Sequence, residues 1–242
     1  MFLKQLGALL VIFFFGIAGG IFGSQIVWPL FVERPLFYQY RLNQAPTYIN
    51  ETKEIVVQEN TALTEAIEKV KKAVVGIQNV SPAGKITFGA GLILTSDGRA
   101  VTLNNLVPAG FQPRIVAMGR EVKYQVLKRD VQMNLALIKL EGNGFFTVGF
   151  ADSLKLGTRV FLAANAVSFF VDGQPQEQFI VNEGVIRVFN NDEVQTTISD
   201  KKEVKGSPLF DIQGNLVGLN DVDSTGRVVA IPAQKIREFA GL

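Results

Sequence analysis

Two residue types are missing altogether: the 242-residue chain has no cysteine and no histidine. Without cysteine there is no disulfide, no thiol nucleophile and no thiolate zinc site. Without histidine there is no imidazole to carry a proton near neutral pH and none to ligate a metal. A dominant charge is missing too. Lys plus Arg is 24 and Asp plus Glu is 22, a net +2 that gives no reason to expect a nucleic-acid partner. Hydrophobic residues reach 48% and charged residues only 19%. That balance excludes disorder along the whole chain and fits one domain with an appendage, or two small domains.

The appendage is at the start. From Gln5 through Val32 there is no ionisable side chain. At a rise of ~1.5 Å per residue this run exceeds the ~30 Å hydrocarbon layer, so residues 1–32 read as a transmembrane anchor. Pro29 is expected to end the helix, leaving roughly Leu6 to Val27 in the bilayer and Trp28 at its surface. A cleavable signal peptide is the rival, but its apolar region is usually only ~7–15 residues. Lys4 and the amino terminus are the only early positive charges, so the positive-inside rule places the rest of the chain outside the cytoplasm. Gly16, Gly19, Gly20 and Gly23 form overlapping small-xxx-small patterns that can seat a second helix, although glycine is common in membrane helices anyway.

Residues 33–60, with Pro35 and Pro46 and no sustained periodicity, read as a juxtamembrane linker. Asn60 or Thr61 can cap a short helix whose apolar positions Leu63, Ala66, Ile67 and Val70 share a face. Beyond Ala73 the chain turns into short runs rich in Val, Ile, Leu and Phe. These are AVVGIQNV, GAGLILTSDGRAVTL, LALIKL, TRVFLAANA, EGVIRVF, VQTTIS, SPLFDIQGNLVGLN and RVVAIPAQ. Ser96-Asp97-Gly98 and Gln213-Gly214-Asn215 are hairpin signals between strands. Only Ala233 to Phe239 looks helical near the end. The fold class is therefore all-β, a barrel or sandwich and possibly two barrels, over residues 61–242. Gly89-Ala90-Gly91 precedes a strand, whereas a phosphate loop follows one, so no nucleotide and no other cofactor is expected.

The order of these segments resembles the protease domain of the HtrA (Deg, DegP-like) family of trypsin-like serine proteases, from about Ala62 to Phe239. GAGLILTSDGRAVTLNNLV is similar to the family's G-S-G-x-I-x-x-x-G-x-[IV]-[VL]-T-N-N-H-V-V, and NLALIKL to its T-D-L-A-[LV]-[LI]-K-[IV]. ADSLKLGTRVFLAANA, EGVIRV and GRVVAIP match further family stretches in the same order. VQTTISDKKEVKGSPLFDIQGNLVGLN follows the segment that holds the nucleophile in G-N-S-G-G, without a gap. The resemblance implies a trypsin-like double β-barrel with short helices at either end of the domain. It stops before the PDZ module that many relatives carry.

It also implies where catalysis would sit, and each position has changed. The triad needs Ser as nucleophile, His to take its proton and Asp to orient and charge-stabilise the His. The His position holds Asn105, the Asp position Asn134 and the Ser position Lys205. The first glycine of G-N-S-G-G, an oxyanion donor in the family, is Glu203, and a carboxylate there opposes the charge to be stabilised. Neither asparagine can act as a general base. The one nucleophile–base pair that the composition allows near this motif is Ser207 with Lys205. If the fold is kept, Asn105, Asn134 and Lys205 gather between the barrels. Lys205 is then expected to donate to amide oxygens and leave a positive cleft, partly neutralised by Glu203, that prefers an anionic group.

The expected protein is a membrane-anchored pseudoprotease that binds a peptide or a partner protein in its vestigial cleft. Strand addition is expected at Arg227, Val228 and Val229, just before the A-I-P motif. The alternatives are an assembly scaffold for envelope proteins or active relatives, as homo- or hetero-oligomers, and an endopeptidase with unusual chemistry. Asp200, Glu203, Asp221 and Asp223 read as solvated loop carboxylates, so no metal is expected. The stretch Val167 to Gln178 has no clear counterpart in the family and reads as a loop turning at Gly173-Gln174-Pro175, with Phe169 and Phe170 expected in the core and covering of the site or contact with lipid as the alternatives.

Overall fold

The structure, a computed structural model, describes residues 2–33, 61–81, 84–171 and 174–242. The chain forms two compact units, Met1–Gln58 and Glu59–Leu242. In the first, helix α1 covers Phe2–Phe22 and continues in a wider winding over Gly23–Glu33. The stretch Gly7–Trp28, 22 residues, is long and apolar enough to cross a membrane. Leu9, Phe13 and Phe15 are all exposed. Pro29 does not end the winding, contrary to expectation. The wider winding begins at Gly23, before the proline, and runs on to Glu33. The expected linker, from Arg34 to the candidate cap Asn60, lies outside the described residues.

The second unit opens with helix α2 over 61–70, which buries Ala66 and Val70 and packs Leu63 and Ile67 against the core. A first sheet, a half-barrel referred to below as the first barrel, has the order β5-β4-β1-β2-β3-β7-β6. Its strands are β1 (Val74–Val80), β2 (Ile86–Ile93), β3 (Arg99–Leu103), β4 (Arg114–Ala117), β5 (Arg120–Val122), β6 (Tyr124–Asp130) and β7 (Leu135–Leu140). A closed barrel follows in the order β10-β13-β12-β11-β8-β9. It comprises β8 (Arg159–Val171), β9 (Gln174–Phe189), β10 (Val194–Ser199), β11 (Pro208–Asp211), β12 (Leu216–Val222) and β13 (Arg227–Pro232). Helix α3, Ala233–Ala240, ends the domain.

The two turn signals are in place. Gly98 and Gly214 both have positive φ and close the β2–β3 and β11–β12 hairpins. One continuous core joins both barrels, with the Phe161 and Phe210 rings 5.5 Å apart in the second. Helix α3 buries Ile236 and Phe239, and its last carbonyls are taken by the first barrel. Lys128 Nζ donates to the Phe239 carbonyl at 3.2 Å and Arg99 Nη1 to that of Ala240 at 3.3 Å, where cations suit a helix end.

Residues 167–171 and 174–178 are strand rather than the expected loop. They extend the β8–β9 hairpin, with Val167 opposite Glu177 and Val171 opposite Gln174. The run VSFFV is β-branched and aromatic, which favours extended pairing over irregular coil. The core role expected of Phe169 and Phe170 falls on side chains outside those described.

On β7 the one polar residue, Lys139, turns outward and donates to Asp97 Oδ2 at 2.8 Å and to the Asp97 carbonyl. Lys139, and then the Thr95 hydroxyl, pull the Asp97 carboxyl from 3.8 down to about 2. A carboxyl depressed on folding adds stability above its unfolded value and loses it as pH falls through the folded one. This contribution fades from pH 3.8 to about 2, and the pair is exposed, so salt weakens it. A carbon-detected NMR titration should give Asp97 a midpoint near 2 that rises towards 3.8 in Lys139→Met. An unchanged midpoint in the variant would refute the pairing.

Candidate functional site

Strand pairing brings two of the family's triad positions together. β3 and β7 run antiparallel with Leu103 opposite Leu135, so the residue after β3 meets the residue before β7. Asn104 N–H donates to the Asn134 carbonyl at 2.8 Å, one rung beyond the ladder. Asn105, on the single turn Asn104–Leu106, donates its N–H to Asn134 Oδ1 at 3.1 Å. Asn134 has φ of 53°, a left-handed backbone that asparagine tolerates better than most residues. Arg129 Nη1 donates to Asn104 Oδ1 at 2.8 Å and steadies this corner from β6.

The third position joins them through Asp221, which is a strand residue rather than the solvated loop carboxylate expected. Lys205 Nζ donates to Asp221 Oδ1 at 2.6 Å, and Asn134 Nδ2 donates to Asp221 Oδ2 at 3.3 Å. Among the described residues Lys205 makes no bond to the asparagine oxygens, and its charge meets a carboxylate. Glu203 is exposed on the turn Lys202–Val204, and among the described residues the ion pair of Lys205 is with Asp221. The expected positive cleft is thereby corrected. Asp221 belongs to β12, LVGLNDV, and its one local signal is the return to an apolar residue at Val222, which fits a strand that continues past Asn220.

Behind Lys205 the backbone is tightly seated. Ala90 N–H donates to the Lys205 carbonyl at 2.8 Å, and Gly206 N–H to the Asn220 carbonyl at 2.7 Å. Ser207 is fully buried, and its Oγ accepts from Asn220 Nδ2 at 3.0 Å. Ser207 thus faces the core while the Lys205 ammonium reaches Asp221, which separates the two members of the one conceivable dyad. Gly206 has φ of 74°, and a Cβ there would drive into the Ala90 carbonyl oxygen. Gly206→Ala should cost about 2–5 kcal/mol, combining left-handed strain with overpacking. Urea unfolding of the variant checks this, and a loss under ~1 kcal/mol would mean the loop is not held this closely.

The edge expected for strand addition is already used. Val229 faces Gln195 on β10 and Asp221 on β12, and Arg227 faces Ser199. A closed barrel occupies both sides of each strand, so a peptide cannot pair with Arg227, Val228 and Val229 unless β10 leaves. What is open is a cleft of about 480 Å³ beside Asp221, between Met133 and Asn134 of the first barrel and Val222, Val229 and Ile231 of the second. At its rim Arg227 Nε pairs with Asp223 Oδ2 at 2.8 Å. The Thr225 hydroxyl, together with Arg227, holds the Asp223 carboxyl well below the usual carboxylate range. Asp200 is bonded by Asn182 Nδ2 at 2.9 Å, so these acids are separately engaged. Among the described residues no group of three ligating side chains could hold a metal.

Residues 89–219 match the family described as trypsin-like peptidase domain. A probable periplasmic serine endoprotease, DegP-like, from Pseudomonas putida is 30% identical over 140 residues, 55% of this chain and 29% of that one. Its namesake from Bartonella henselae is 27% identical over 163 residues, 63% of this chain and 32% of that one. The chain thus spans under a third of the length of either curated relative. The crystal structure of the serine endoprotease from Yersinia pestis superposes with a TM-score of 0.63 at 20% identity, over 74% of this chain and 65% of that one. Double-barrel topology and matched sequence agree: the chain belongs to the trypsin-like peptidase domain family, as an HtrA/DegP-like member.

Proposed function

We propose that this protein is a membrane-anchored, catalytically inactive relative of the HtrA-type endopeptidases that binds peptides or partner proteins in its inter-barrel cleft. The carrying observation is the Asp221 hub. Peptide hydrolysis needs a nucleophile with a free lone pair and a base to take its proton. An ammonium donating to a carboxylate has no lone pair to offer, and Asn105 and Asn134 take no proton. The cleft persists nonetheless, with half-buried apolar walls. An open cleft favours a binder over a scaffold, whose cleft is free to fill in. The apolar helix, the early Lys4 and the periplasmic naming of the relatives support a single-pass anchor with the domain in the bacterial envelope.

Two experiments bear on this. The full chain in non-ionic detergent should leave labelled casein intact, as should Lys205→Ala. Turnover by the wild type but not by the variant would make Lys205 catalytic and defeat the proposal. After alkaline carbonate extraction the chain should stay with the membrane pellet, and release into the supernatant would rule out an anchor.

A further inference from the structure

The hydrogen bonds to Asp221 are lopsided. Oδ1 accepts two short bonds, from Lys205 Nζ at 2.6 Å and from Val222 N–H at 2.7 Å. Oδ2 accepts the long one from Asn134 Nδ2, at 3.3 Å. Oδ2 is therefore the weakly used oxygen, on a carboxylate that helps line the cleft. Beside it Met133, Val229 and Ile231 are only half-buried, which leaves an apolar floor.

The charges around this floor do not cancel. Lys205 answers Asp221, Arg227 answers Asp223 and Lys235 answers Asp192 across 2.6 Å. The remaining acid in the lining, Glu193, is bonded by the neutral Gln195 amide at 2.6 Å and has no ion pair among the described residues. Among the described residues the groove thus has an apolar floor and one negative charge in its lining without a paired cation. An acidic segment would meet repulsion there, and a purely apolar one would leave Glu193 unanswered.

We infer that this groove takes a stretch of polypeptide bearing a basic side chain next to apolar ones, and that Lys205 competes with the incoming cation for Asp221. The apolar neighbours cover Met133, Val229 and Ile231, while the guanidinium or ammonium reaches Glu193 and Asp221 Oδ2. Lys205 then acts as a built-in rival, so the resting cleft is partly self-occupied. This rests on reading the cleft as a peptide site.

The test uses the full chain in non-ionic detergent and fluorescein-labelled pentapeptides, read by polarisation. One peptide has arginine between two leucines, a second has glutamate in its place, and a third has serines for the leucines. The arginine–leucine peptide should bind about tenfold more tightly than either control, the effect of one charge-assisted contact. Lys205→Met should tighten it further, and Asp221→Asn and Glu193→Gln should each erase most of the preference over glutamate. Should Asp221→Asn fail to fold by thermal melting, Glu193→Gln on its surface turn decides the matter. Equal binding of arginine and glutamate peptides overturns this inference and leaves peptide binding standing, whereas no binding by any peptide overturns the reading of the cleft itself. Weaker arginine-peptide binding in Lys205→Met shows that Lys205 only braces the site, and that also overturns the competition.

Discussion

The Asp221 carboxylate is shared between side chains from opposite walls of the cleft. Asn134 belongs to the first barrel and Lys205 to the loop that enters β11 of the second. The remaining site geometry follows from that sharing. Asn134 can reach Asp221 because its left-handed backbone turns the side chain across, while its Oδ1 stays with the Asn105 amide. Lys205 can reach it because the Ala90 and Gly206 backbone bonds fix the base of its stem. Lys205 and Asp221 are both partly exposed, so the pair adds only of order 1 kcal/mol to stability and chiefly sets where charge lies.

That distribution of charge decides what the cleft can do. A lysine without a counter-ion would have left a fixed cation between the barrels and a preference for anions. With Asp221 beside it the local charge is neutral, and the balance falls to the rim, where Glu193 is the acid without a cation among the described residues. Of the apolar wall residues, Val229 and Ile231 alternate along β13 with Val228 and Ala230 of the core, while Met133 comes from the turn between β6 and β7.

Much of this was legible in the sequence. Glycine-bearing turns at Gly98 and Gly214 and apolar runs such as LALIKL marked the strands, because turn geometry and burial act locally. The convergence of Asn105 and Asn134 followed from motif order, since β3 and β7 must pair for either motif to work. Asp221 was missed because a carboxylate after Asn220 looks like a loop residue unless its partner sixteen positions back is known. The pairing of β13 with β10 was missed for a similar reason. Edge and interior strands carry the same local pattern, and only closure of the barrel tells them apart. The wider winding over Gly23–Glu33 carries no local signal that the sequence offers.

The capping of α3 by Lys128 and Arg99 has a consequence for how the protein is made. These bonds join residues 111 and 141 positions apart, among the longest sequence separations in the domain. During synthesis the first barrel can collapse around β1–β7, but its clasp on α3 closes only after the final turn of that helix has left the ribosome. Until then the Lys128 and Arg99 side chains point at nothing helical. The first barrel to be translated is thus among the last parts to be fully fastened.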